Sequence, residues 1–143
     1  MKLDPGLLER TPAFVMEHDA FARNLACIRH LQERIPARFL LALKGFAMHA
    51  LFDEIAAVVD GATASSFNEA RLAADHFREV HAYAPAYIPR EFTAIASLPS
   101  HITFNSQDQY RRYRGQLGKA KAGLRINPGY SVVETDLYNP CVP

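Results

Sequence analysis

The sequence predicts an α/β fold built on a parallel sheet, and three observations predict it. Short apolar or small-residue runs begin near residues 39, 62, 80, 102 and 122, about 20 apart. Amphipathic helical stretches lie between them, so consecutive strands run parallel through crossover connections. Few of the runs alternate polar with apolar residues, the pattern of a sheet covered by helices. A doubly wound sheet and part of a (β/α)₈ barrel both meet these conditions.

Taken in order, residues 19–35 read as a helix, with Phe21, Leu25, Ile28 and Ile35 on one face. Asp19 is its expected N-cap, and Pro36 ends it. The run Phe39 to Leu43 is the first strand. Leu51, Ile55, Val58 and Val59 then mark a second helical face. Gly61-Ala62-Thr63-Ala64-Ser65 is a small-residue strand, and Ser66 with Glu69 three residues on forms a capping box that opens the next helix. Strand Val80 to Ala84 passes through Pro85 and Pro89 into a helix at 91–97. Strand Ile102 to Asn105 meets a second capping box, Ser106 with Gln109, and the run from Gly123 to Asn127 completes the series.

Composition excludes several classes of function. The 143 residues are 49% hydrophobic and 22% charged, with a net charge of +1, as in an ordinary globular domain. Arg111, Arg112 and Arg114 form the one tight basic group, and a solvated helix face accounts for them, so no nucleic-acid surface is expected. No apolar stretch approaches the roughly 20 residues of a membrane span, and Met1 to Pro5 lacks a signal-peptide core. The expectation is a cytoplasmic protein with no membrane partner. Cys27, on the apolar side of the first helix, is expected in the core, and with Cys141 it matches no redox or metal spacing. The six histidines are dispersed without ligand spacing, so no metal is expected.

Function in either architecture sits at the carboxyl ends of the strands. Lys44, Ser65 with Ser66, Tyr83 to Tyr87, Asn105 with Ser106, and Arg125 with Asn127 converge there. Lys44 stands out, because an apolar strand runs straight into it and Gly45 follows. Ionised lysine is seldom fully buried. It is therefore snorkelling to water or is a nucleophile whose desolvated amine can attack a carbonyl. Met48 and His49, just beyond, read as packing and helix-start residues. No GxGxxG and no Walker loop is present.

These segments resemble carboxynorspermidine (carboxyspermidine) decarboxylase, of the alanine racemase-like fold-type III pyridoxal-phosphate family. The matching blocks are Leu41 to Met48, Gly61 to Ser66 with Glu69-Ala70-Arg71, Tyr83 to Tyr87, Phe104-Asn105-Ser106, Leu124 to Pro128, and Glu134 to Tyr138 with Pro140-Cys141. The resemblance implies that the fold is the N-terminal part of a (β/α)₈ TIM barrel, with about five of its eight strands. It implies pyridoxal 5'-phosphate as cofactor and Lys44 as the Schiff-base lysine. It also implies that Ser65, Glu69 and Arg125 bind or position the cofactor, although the capping box alone explains Glu69. Asp136 and Tyr138, after the fifth strand, are the implied substrate-side residues. With Glu134 they suit a polycationic carboxylated polyamine. Asn139 stands where the resemblance leads one to expect an aspartate.

On this reading, residues 1–36 form an N-terminal strand and lead-in helix, and residues 37–143 a truncated PLP-binding barrel. The resemblance leads one to expect a C-terminal β domain, a glycine-rich phosphate loop, an acidic partner of the pyridine nitrogen, and a later cysteine and tyrosine near the substrate outside these 143 residues. The whole enzyme is expected to be a homodimer, and this chain alone an inactive fragment. Other fold-type III activities (diaminopimelate or ornithine decarboxylase, alanine racemase) are alternatives. A non-catalytic module binding pyridoxal phosphate or a partner is another.

Overall fold

The computed structural model describes residues 4, 6, 8, 10–139 and 141. Its elements are helices α1 (His18–Arg34), α2 (Phe52–Ala56), α3 (Phe67–His76), α4 (Phe92–Ala96) and α5 (Gln107–Tyr113), alternating with strands β1 (Leu40–Ala42), β2 (Gly61–Ala64), β3 (Val80–Tyr83), β4 (His101–Phe104) and β5 (Lys121–Leu124). The strands form one parallel sheet in the order β1-β2-β3-β4-β5. A doubly wound sheet reverses its order at a switch point, whereas successive strands of a (β/α)₈ barrel are neighbours throughout. The order observed is the barrel's.

One face of the sheet is buried under the helices. Ala62, Ala64, Val80, Ala82, Ile102 and Phe104 alternate onto it and are nearly inaccessible. Small residues set the spacing where α3 crosses β2: Ala62 meets Ala70 and Ala73 in a core that also holds Phe52, Ile55 and Phe77. A second core lies under β3 and β4, where Tyr87, Phe92, Phe104 and Tyr113 cluster. The Phe92 and Tyr113 rings stack at 4.1 Å between centroids. Full burial of such a side chain contributes about 1.5–3 kcal/mol, so the aromatic cluster dominates this half of the molecule.

The opposite face is only partly covered. His81, Tyr83, His101 and Thr103 alternate onto it and remain half-exposed. The expectation of strands covered on both faces therefore fails for β3 and β4, which alternate in burial because the helices pack on one side.

Two local expectations are corrected. Helix α1 starts at His18 with Glu17 as an N-cap that makes no side-chain bond, and Asp19 lies in its first turn, where its charge suits the helix dipole. Cys27 is exposed, because the buried face of α1 runs through Phe21, Leu25 and Ile28, and position 27 falls outside it. The N-terminal strand expected within residues 1–36 is not found among the described residues: 13–17 have no assigned pairing. Met1 to Leu3, Pro5, Leu7, Glu9, Pro140, Val142 and Pro143 lie outside the described residues.

Candidate active site at the carboxyl ends of the strands

Strand β1 ends in a tight turn. The Gly45 and Phe46 N–H groups both donate to the Ala42 carbonyl, at 2.9 and 3.1 Å. Leu43 stays buried, its N–H donating to the Thr63 carbonyl at 3.1 Å, and the next residue, Lys44, is turned out to solvent. The ammonium of Lys44 has no hydrogen bond or ion pair among the described residues. It is therefore neither buried in the strand nor paired at its end.

The neighbouring strand ends are held by the two capping boxes. Ser66 Oγ accepts from the Glu69 N–H at 3.2 Å, and Glu69 Oε2 accepts from the Ser65 N–H at 2.6 Å. One strand pair further along, Ser106 Oγ accepts from the Gln109 N–H at 3.1 Å and Gln109 Oε1 from the Asn105 N–H at 2.7 Å. Gln109 also donates to the Pro85 carbonyl at 3.1 Å. Both boxes close a strand-to-helix turn and fix Ser65 and Asn105 at the rim.

Arg125, just past β5, joins the ends of three strands. Its Nη1 donates to Tyr83 Oη at 2.7 Å, and its guanidinium lies 5.7 Å from the centroid of that ring. The Tyr83 hydroxyl in turn donates to Asn105 Oδ1 at 3.0 Å. Sheet register explains the meeting, since Tyr83 pairs with Thr103 and Thr103 with Gly123, one period of two before Asn105 and Arg125. Tyr83 and Asn105 belong to the predicted rim, but only pairing across strands reveals their bond to Arg125.

Asp136 and Tyr138 occupy a single 3₁₀ turn and are exposed. No hydrogen bond joins their side chains to the rim among the described residues. Their loop does return toward β5: the Cys141 thiol donates to Asn127 Oδ1 at 3.4 Å, and that same oxygen accepts from the Gly129 N–H at 3.0 Å. The structure thus brings Arg125 together with Tyr83 and Asn105, and Ser65 with Glu69. Asp136 and Tyr138 stay apart from both groups.

The sheet face that carries Tyr83 also holds a cluster that residue spacing missed. Toward the amino ends of the strands, His81 Nε2 donates to Glu79 Oε1 at 2.8 Å, and His101 Nδ1 lies 3.5 Å from the same oxygen. Arg38 pairs with Glu79 Oε2. The bond from His81 holds the Glu79 carboxyl below the usual carboxylate range, assisted by the Arg38 charge. Burial, with the His81 charge, lowers His101. The missed signal is that residues one βα repeat apart, such as His81 and His101, are register partners.

No family model matches the chain. It is 53% identical over 135 residues to carboxyaminopropylagmatine decarboxylase of Synechocystis, covering 92% of this chain and 35% of the relative. It is 37% identical to the carboxynorspermidine/carboxyspermidine decarboxylase of Campylobacter jejuni and 38% identical to that of Herminiimonas arsenicoxydans. Coverage is 92% and 93% of this chain, and 35% and 37% of those relatives. The crystal structure of the Campylobacter jejuni carboxynorspermidine decarboxylase complexed with norspermidine superposes with a TM-score of 0.80 at 35% identity, over 88% of this chain and 35% of that one. The chain thus spans about a third of the length of the curated relatives it matches. Among the described residues no helix is long and apolar enough to cross a membrane. In sequence and in fold, this chain is similar to the N-terminal third of the carboxyaminopropylagmatine and carboxynorspermidine decarboxylases.

Proposed function

We propose that this chain supplies the lysine-bearing part of a pyridoxal-phosphate-dependent decarboxylase that acts on a carboxylated polyamine, as a cytoplasmic enzyme whose whole form is a closed-barrel homodimer. The observation that carries this reading is Lys44, an uncommitted amine on the same rim as the Tyr83–Asn105–Arg125 cluster, within a chain 53% identical to a decarboxylase of this kind. The donor set suits the cofactor: a free amine for its aldehyde, and a guanidinium and hydroxyls for its anionic and phenolic oxygens.

When bound, pyridoxal phosphate supplies an electron sink for the carbanion left by loss of CO₂. Lys44 Nζ would hold it, and the same amine would be placed to move a proton at the reacting carbon. Arg125, already held by Tyr83 and Asn105, has further N–H groups for an anionic oxygen. Ser65 offers its hydroxyl, because its N–H is taken by Glu69. Glu69 is therefore a positioning residue. Asp136 and Glu134 attract the cationic tail of the substrate, and Tyr138 offers a hydroxyl beside them.

The higher identity to the Synechocystis relative, 53% against 37% and 38%, favours carboxyaminopropylagmatine over carboxynorspermidine as substrate. The test is a chimera in which this chain replaces the matching third of the Synechocystis enzyme. CO₂ release from both substrates is measured, with and without Lys44→Ala. We expect turnover of carboxyaminopropylagmatine, lost together with the bound chromophore in the variant. A folded chimera with the activity of neither parent substrate, or one indifferent to Lys44→Ala, would overturn the reading.

A further inference from the structure

We propose that Glu79, His81 and His101 form a binding site for a divalent transition-metal ion of the zinc type, at the end of the sheet opposite Lys44. The three donor atoms, one carboxylate oxygen and two ring nitrogens, all lie within 4.8 Å of one another. Ligand atoms about 2.0–2.1 Å from a zinc ion at tetrahedral angles stand about 3.3 Å apart. The observed spacings from Glu79 Oε1, 2.8 Å to His81 Nε2 and 3.5 Å to His101 Nδ1, bracket that edge length. Small rotations of two rings on rigid strands would close the set.

The surroundings have the form of an outer shell. Arg38 occupies Glu79 Oε2, which leaves Oε1 as the single ligating oxygen and fixes the plane of the carboxylate. Gly61 lets the Glu79 backbone come close, since a Cβ on residue 61 would sit 2.1 Å from the Glu79 carbonyl oxygen. His81 and His101 are register partners on adjacent strands, with ring centroids 4.2 Å apart. This backbone placement costs nothing further on binding. Two imidazoles and one carboxylate, with a fourth position open to a cleft of about 600 Å³, are the donor set of an open zinc-type site. Arg38, Arg78, Lys119 and Lys121 also line that cleft. Their charges oppose a bare dication, so an anionic fourth ligand completes the shell and affinity falls below that of a closed structural zinc site. Binding would take the place of the present His81–Glu79 hydrogen bond.

The test uses the full 143-residue chain, stripped by a chelator, with Zn²⁺ followed by titration calorimetry and Co²⁺ by visible absorption. We expect one ion per chain, a four-coordinate Co²⁺ spectrum, and an unfolding midpoint that rises with Zn²⁺. Glu79→Gln, His81→Gln and His101→Gln should each weaken binding by more than about tenfold. His30→Ala, on the exposed side of α1, should leave it unchanged. Circular dichroism identifies any variant that fails to fold. If one does, the wild-type stoichiometry and Co²⁺ spectrum decide the matter. Absence of saturable binding, binding that survives the glutamine substitutions, or an octahedral, sulfur-ligated or His30-dependent site would overturn the proposal.

Discussion

Tyr87→Phe removes one oxygen from the best-packed part of the molecule, and the structure gives its cost. The Tyr87 hydroxyl donates to the Thr103 carbonyl at 3.0 Å, accepts from the Ala84 N–H at 3.3 Å and lies 3.4 Å from the Ala82 carbonyl. It therefore bridges the end of β3 to β4 from beneath. Phenylalanine keeps the ring contacts with Phe92, Phe104 and Tyr113 but strips partners from buried backbone groups. Leaving such groups unsatisfied costs about 1–3 kcal/mol, and we expect about 2 kcal/mol by urea unfolding at neutral pH. A second readout follows from the same burial, which pushes the phenol up to about 12. A group whose pKa is raised on folding gives stability that is fully present below its unfolded value, near 10, and lost as pH climbs through the folded one. Two units correspond to about 2.7 kcal/mol. The native chain should therefore lose about 2 kcal/mol of this between pH 10 and 12, and Tyr87→Phe should lack this share of the alkaline loss. A variant within about 0.5 kcal/mol of the native chain at pH 7, with an unchanged alkaline limb, would refute the reasoning.

Two further outcomes are expected. Gly61→Ala places a Cβ 2.1 Å from the Glu79 carbonyl oxygen and 2.8 Å from its carbon, backbone that cannot give way without parting β2 from β3. We expect a loss of about 3 kcal/mol or more in thermal unfolding, and a loss below about 1 kcal/mol would contradict the geometry. Asp60 accepts from the Phe39 N–H at 2.8 Å and pairs with Arg38, and these contacts, the backbone bond foremost, hold its carboxyl below the ordinary range. Its contribution is present above the unfolded carboxylate value and is lost as pH falls through the folded one. Asp60→Asn should flatten the acid limb of the stability profile below about pH 4, and an unaltered limb would exclude that role.

What could be read from the sequence was what neighbours in the chain decide. The boxes Ser66–Glu69 and Ser106–Gln109 close as expected, because cap and partner lie three residues apart on one turn. The strands were legible from their spacing, and the rim of Lys44, Ser65, Asn105 and Arg125 followed from which end of each strand they occupy. Contacts that depend on register were not legible. Arg125 meets Tyr83 across 42 positions, and Glu79 stands between two histidines 20 apart, and no local window relates such residues. The exposure of Lys44 is one of the two readings that the strand leaves open, and the turn capped by the Ala42 carbonyl is what brings it about. Cys27 was misassigned because a helix of mixed polarity leaves the edge of its buried stripe undefined until a neighbour packs against it.

The sequential strand order has a consequence for how the chain acquires its shape. Paired positions are Leu40 with Gly61, Ala62 with Val80, His81 with His101, and His101 with Lys121, separations of 21, 18, 20 and 20 residues. Every pairing therefore closes a loop of nearly the same length, at about 2.7 kcal/mol of chain entropy beyond a constant. Among the described strands, each finds its neighbour one repeat along the chain. As the polypeptide leaves the ribosome, each repeat finds its docking edge already made by the one before, so assembly can advance by accretion from β1 toward β5 at the pace of synthesis.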